Sequence, residues 1–375
     1  MKIITANIFS FANKPKIVAL LFWLCICIAL LSYSVAKKYI LPNYFFFDES
    51  TISQYMQWGA KFIIGDSYAS TAAFFNFLGA DKDSLPFTVI STLMIIAQYI
   101  YCLKKSNIKS FTLVEISLFV FLAFLSVTYM SMLSKDSIVA LLLVPFIFFA
   151  RYGLFGIIVW CALALLYAAY FRAYWFIMIP MFLGMYWIFR VANKPIFLIL
   201  ATPIALLFLS LAFSAFLGLD LDNFRTSVND VRIDAGDNNA RTMILPWIAG
   251  GGPIISWLNS CITWVTLMFP IPLFLLLSPY YLLIAGLISV LFYKSWGSFF
   301  RVLANKSKPD LAACSALIIS FTAIQSIFEP DYGSYVRHLA PLYPIIFYVI
   351  FKSQRLTNAR ASLNPRNKRK YEIDR

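Results

Sequence analysis

From Ile196 to Leu217 the chain runs without a single charged residue, and comparable apolar runs recur along its length. A helix needs roughly 20 such residues to cross the hydrocarbon core of a bilayer, where its backbone must satisfy its own hydrogen bonds. The runs are too long and continuous for the alternating, roughly ten-residue strands of an outer-membrane barrel. Composition removes the other choices. Hydrophobic residues make up 61% of the 375 and charged residues 13%, about half the ~25% with which a soluble domain covers its surface. Disorder needs the opposite balance, with low hydrophobicity and high charge. The expected fold is an all-α membrane protein, a polytopic bundle of helices.

The apolar runs are Ile17–Val35, Phe87–Leu103, Phe111–Tyr129, Ile138–Phe149, Leu154–Tyr170, Phe176–Phe189, Ile196–Leu217, a long stretch Ile254–Tyr293, Leu311–Ile327 and Leu339–Phe351. Several fall short of ~20 residues and must borrow flanking positions or tilt. The first follows Lys14 and Lys16 and is trailed by a small-x-small triplet, Ser34-Val35-Ala36, as in a signal peptide. It outruns the roughly 7–15-residue apolar core of such peptides, so it reads as an uncleaved first helix with its N-terminus inside. The stretch Ile254–Tyr293 is long enough for two spans, and Pro270, Pro272 and Pro279 interrupt it. One span plus a re-entrant or interfacial segment keeps Lys294, Arg301, Lys306 and Lys308 on the same side as the basic C-terminal tail, as the positive-inside rule favours. The expectation is a single transmembrane domain over 1–351, with about ten spans and both termini cytoplasmic, and a basic cytoplasmic tail over 352–375. Two long periplasmic loops cover about 37–86, rich in aromatics, and about 218–253, with a polar island from Asp220 to Arg241.

This arrangement accounts for the net charge of +14. The excess of Lys and Arg gathers in the cytoplasmic loops and tail and leaves the other side slightly acidic, so it marks orientation and implies no nucleic acid. The tail is suited to lie against anionic headgroups. The six cysteines lie in or beside apolar runs and form no disulfide framework, and a single histidine excludes a His-based zinc site.

Charges near membrane depth are expensive and are read first as functional. Here they collect at the outer helix ends. Lys135 and Asp136 sit in Ser134-Lys-Asp-Ser, and Arg172 and Tyr174 lie in a turn of about five residues between two runs. Glu329, Asp331, Arg337 and His338 belong to Phe328-Glu-Pro-Asp-Tyr-Gly-Ser-Tyr-Val-Arg-His, which leads into the last run. Arg172 has two readings, snorkelling to headgroup phosphates or ligating an anion inside the bundle. Arg337-His338 at the start of the last helix would join side-chain donors to free backbone N–H groups, a ready anion site, unless Asp331 or Glu329 simply neutralises them. Lys135-Asp136 is either a local ion pair or part of that site. In the polar island, Arg225 precedes Gly236 and Arg241 precedes Gly252 at the same Arg-x10-Gly spacing. Arginines converging from separate outer loops suit a ligand with at least two phosphates, because the planar guanidinium matches phosphate oxygens and stays charged when desolvated.

In size, in its many spans with few soluble parts, in its charged outer loop, in the Arg-x10-Gly spacing and in the segment Asp331-Tyr-Gly-Ser-Tyr-Val-Arg-His, the chain resembles the O-antigen polymerases of Gram-negative inner membranes. Both Arg-x10-Gly copies fall in one loop here, a departure from the pattern of that family. The resemblance implies a metal-independent, inverting glycosyltransferase of the bacterial inner membrane that needs no cofactor. It would move a growing glycan from undecaprenyl diphosphate to a sugar hydroxyl of the next lipid-linked repeat unit, on the periplasmic side. Arg172, Arg241 and Arg337 would bind the donor diphosphate, with Arg225, Lys135 and Tyr174 as further substrate contacts. Asp331, Asp136, Glu329 or His338 would accept the acceptor proton. A chain-length regulator protein is an implied partner, beside the lipid bilayer itself. A flippase or polysaccharide transporter and an O-antigen ligase are the alternatives.

Overall fold

Among the residues described by this computed structural model (16–81, 85–107, 111–234, 241–306 and 308–363) regular structure is helical, apart from one isolated bridge between Met243 and Asp331. The basic tail beyond 363 and Gly236 lie outside these residues. The helices are α1 Lys16–Ile40, α2 Phe47–Gln57, α3 Ser67–Phe77, α4 Leu85–Ser106, α5 Leu113–Met130, α6 Lys135–Leu143, α7 Phe146–Ala150, α8 Leu154–Tyr170 and α9 Trp175–Val191. They continue with α10 Pro195–Leu217, α11 Asn223–Asp234, α12 Pro253–Met268, α13 Ile271–Leu275, α14 Pro279–Ala304, α15 Pro309–Phe328, α16 Tyr332–Leu339 and α17 Tyr343–Leu363. Six of them, α1, α4, α5, α10, α14 and α15, are long and apolar enough to cross a membrane, and α8, α9 and α12 are shorter apolar helices. The protein is an all-α membrane protein.

Burial sorts the helices. In the apolar window of α15, 94% of residues are buried, against 17% in α1 and 22% in α10. Helix α15 is the central post, packed on α9, α12, α17 and α7, while α1 and α10 leave most of their surface for lipid. Small residues make the post possible. Ala312, Ala313, Ser315, Ala316, Ser320 and Ala323 let neighbouring backbones approach closely, which drives helix association where no hydrophobic effect operates.

Local sequence explains several departures from the expected runs. The run Ile138–Phe149 is not one helix but α6 and α7, divided at Pro145, whose ring removes an N–H and crowds the preceding turn. The aromatic loop after α1 contains two helices, α2 and α3, the second capped by Asp66, whose carboxylate accepts from the N–H groups of Tyr68 and Ala69. Within the polar island, Asn223–Asp234 folds as α11.

Charged residues gather at the two ends of the bundle. At one, the buried Asp310 accepts from Tyr348 (2.6 Å) and Lys352 (2.8 Å), with Arg151 Nε at 3.9 Å, and Glu115 pairs with Lys294 at 3.1 Å. The other end holds Asp48, Asp136, Arg172, Glu329 and Arg337. Helix α14 begins at this second end, with Tyr280 within electrostatic reach of Tyr129, and carries Lys294 to the first. Asp220 Oδ2 holds Gly252 N at 2.8 Å ahead of α12, and Arg225 bridges Thr263 of α12 and Ser326 near the end of α15. Between α12 and α14 the segment 269–278 holds the short α13.

Asp310 ties α15 to α17 and neutralises a cation in a place that excludes water. Asp310→Ala leaves Lys352 and Tyr348 without their acceptor, a loss of about 3–5 kcal/mol when a buried pair is broken from one side. Thermal unfolding in detergent is expected to show a clearly lower midpoint for this variant than for Lys294→Ala, whose ammonium is more exposed.

Candidate functional site

Asp136 lies in the first turn of α6, fixed there by Ser134, whose hydroxyl accepts the N–H of Ser137 at 3.2 Å. The turn 171–174 between α8 and α9 presents Arg172 and Tyr174 beside it. Asp331 caps α16, accepting Ser334 N at 2.7 Å. Arg337 and His338 therefore lie in the last turn of this short helix rather than at the start of the final one, which begins only at Tyr343. That corrects the expected helix-N-terminus anion site. A helix C-terminus is the end that favours cations, and the positive charge here comes from side chains.

One carboxylate organises them. Asp136 is 1% exposed. Its Oδ1 accepts Arg172 Nη2 at 2.8 Å, its Oδ2 lies 3.5 Å from Arg337 Nε, and His338 Nε2 is 4.0 Å from Oδ1. Arg337 Nη1 reaches Asp48 Oδ2 at 3.0 Å, and Tyr68 donates to Asp48 Oδ1 at 3.0 Å. Lys135 Nζ donates to Ser67 Oγ at 2.9 Å and stands 3.2 Å from the centre of the Tyr68 ring. Arg172 Nη1 donates to Tyr174 at 3.0 Å, and Gln325 holds the same hydroxyl at 3.2 Å. Around these groups is a cavity of about 330 Å³, lined by Asp48, Tyr68, Lys135, Arg172, Tyr174, Arg337 and His338 among others. Lys135, Arg172 and Arg337 outnumber the carboxylates of Asp48 and Asp136 by one. Burial works to raise the pKa of Asp48, but Arg337 and Lys135 outweigh it and hold the carboxyl below its usual range.

His338 is paired behind the cavity. Its Nδ1 is 2.8 Å from Oε2 of Glu329, which is 1% exposed. Burial pushes the Glu329 carboxyl up to about 8. Burial, with Arg172 next, holds the His338 imidazole well below its usual range. Once the pair has given up its shared proton, Nδ1–H donates to the Glu329 carboxylate and Nε2 is left with a free lone pair. Imidazole oriented in this way by a carboxylate is suited to general-base work.

The other expected residues stand elsewhere. Arg225 is fully buried between α11, α12 and α15, where Nη1 donates to Thr263 Oγ1 (3.1 Å) and Ser326 O (2.9 Å). Phe328, stacked on Tyr174 and tilted against Phe224, separates α11 from the cavity wall. Arg241 is exposed and does not line the cavity, since the next residues are tied by backbone to the approach of α16, with Ile244 N on Pro330 O and Tyr332 N on Thr242 O. Asp331 is occupied as a helix cap and as the partner of Arg232, at 2.6 Å. Asp48, Ser67 and Tyr68 are part of the site and were not among the expected residues. Their one signal in the sequence is the acidic pair Asp48-Glu49 directly after a run of aromatics.

No family model, curated protein or solved structure matches this chain.

The Glu329–His338 pair gives stability a signed dependence on pH. Glu329 binds its proton more tightly folded than unfolded, so its contribution is full below about 4.5 and is lost as pH rises through about 8. His338, shifted down, contributes above its ordinary value of 6.5 and loses that as pH falls. Glu329→Gln removes the first term. The melting midpoint of that variant is expected to fall less than that of the parent between pH 5 and 8, measured by thermal unfolding in detergent across buffers.

Proposed function

We propose that this chain is a glycosyltransferase of the bacterial inner membrane that polymerises lipid-linked oligosaccharide repeat units of a surface polysaccharide, O-antigen or a related polymer. The observation that carries this reading is the meeting of Arg172, Arg337 and Lys135 on one cavity that His338 also lines, with Glu329 behind it. The cations suit the diphosphate of an undecaprenyl-linked donor, and the imidazole suits the proton of an acceptor hydroxyl.

The chemistry follows from the groups present. His338 Nε2 takes the proton of a sugar hydroxyl on the incoming repeat unit. The oxygen attacks the anomeric carbon of the donor glycan as the bond to the diphosphate oxygen breaks, inverting that centre. The charge that develops on the leaving diphosphate falls among guanidiniums already fixed by Asp136 and Asp48, so little reorganisation is needed during the reaction. Tyr68 and Tyr174 border the cavity where the sugars nearest the diphosphate would lie. In this reading the cavity faces the periplasm, both termini are cytoplasmic and a chain-length regulator is a partner.

Loss of the gene is expected to leave a single repeat unit on the lipid core and to abolish the ladder of surface glycan on a gel. Arg172→Ala and His338→Ala should reproduce this with the protein still in the membrane. Loss of even the single unit would instead mean a ligase, and lipid-linked units trapped on the inner leaflet would mean a flippase. Full ladders in both variants would remove the cavity from the reaction. In a reconstituted assay the rate should climb as pH approaches about 8, and Glu329→Gln should lower the plateau and move the climb to lower pH.

A further inference from the structure

The cavity has a thin wall on one side. Helix α8 turns a stripe of apolar side chains outward, with Phe155, Ile158, Leu165 and Leu166 exposed, the last at 61%. In a membrane protein such a stripe faces lipid. The next position along it, three or four residues on, is Ala169, and Ala168, Ala169 and Tyr170 line the cavity from within. Only small side chains at 168 and 169 and whatever lies against them therefore stand between the cationic chamber and the lipid side of α8.

What lies there is the segment 59–65, Gly-Ala-Lys-Phe-Ile-Ile-Gly. Against α8 it makes one backbone hydrogen bond, Gly65 N to Ala169 O at 3.1 Å, with Phe62 edge-on to Tyr170 at 6.0 Å, while Ile63 is tied to α3 through Ser70, whose Oγ accepts Ile63 N at 3.0 Å and donates to Ile63 O at 2.7 Å. Gly65 itself lines the cavity. Both end glycines sit at positive φ, +71° and +83°, with open space where a Cβ would be, so glycine is needed there for backbone rotation rather than for room. Between them Phe62, Ile63 and Ile64 are turned outward, Ile64 at 72% exposure. Exposed large apolar side chains on a glycine-bounded segment are costly in water and favourable in the bilayer boundary.

We propose that 59–65 is a flap through which the anionic headgroup of a lipid passes sideways from the bilayer into the cavity, its chain remaining on the α8 stripe. The occupant is one molecule with two chemistries. A phosphate or diphosphate meets Arg172, Arg337 and Lys135, and a hydrocarbon tail meets Phe62, Ile64, Leu166 and Ile158. A free diphosphate would use only the first set. The proposal rests on the reading of the cavity as an anion site, and it adds the route and the tail contact.

The test uses the full chain in nanodiscs with two probes, a polyprenyl diphosphate and inorganic diphosphate, and the uncharged variant Phe62→Asn/Ile64→Asn. The variant is expected to bind the lipid probe about tenfold more weakly and inorganic diphosphate as the parent does. Unchanged affinity for the lipid, with unchanged melting, overturns the flap while leaving the anion site intact. Failure of the parent to bind either probe overturns the anion site itself. If the variant does not fold, Ile64→Trp gives a separate reading. Its added fluorescence should be quenched by brominated lipid and not by iodide in solution, and the reverse pattern rejects the flap.

Discussion

A carboxylate at 1% exposure, held between two guanidiniums, is the constraint on which the functional end of this protein depends. A buried carboxylate without a partner is costly in a dry interior, and Arg172 and Arg337 supply the partners of Asp136. The balance is deliberately incomplete, because the cations around the cavity outnumber the paired carboxylates of Asp136 and Asp48. The donors that line the cavity are already fixed by folding.

Much of the bundle was legible in the sequence, for a simple reason. In a bilayer every spanning segment must be apolar and helical, so composition alone names the fold class. Breaks and returns were harder. Pro145 divides one run into α6 and α7, and the proline-rich segment before α14 holds the separate short α13, because a proline in an apolar run says where a helix is disturbed but not which way the chain leaves.

At the site, sequence reasoning succeeded where a charge sits at a forced position. Arg172 in a short turn and Lys135-Asp136 at a helix start had nowhere to go but the bundle end. Arg337 and His338 reached the same cavity for a different reason, since the short α16 ends there instead of the final helix beginning there. Arg225 and Arg241 belong to a long loop, and a loop can fold to bury one arginine and expose its neighbour. The Arg-x10-Gly spacing carried no information about that. Asp48 and Tyr68 were hidden because an aromatic loop with a few acids looks the same whether it lies on a headgroup surface or folds over a cavity.

Helix α15 joins features that were treated apart. Its first turn carries Asp310, bound to Lys352 and Tyr348. Its last turn carries Gln325 and Ser326, and Glu329 follows at once. The helix between is encased on all sides and has no freedom to bend toward lipid. Such an element behaves as a stiff axle through the molecule. A slip of its register by a fraction of a turn would disturb the lysine lock at one pole and the orientation of the imidazole at the other in the same movement.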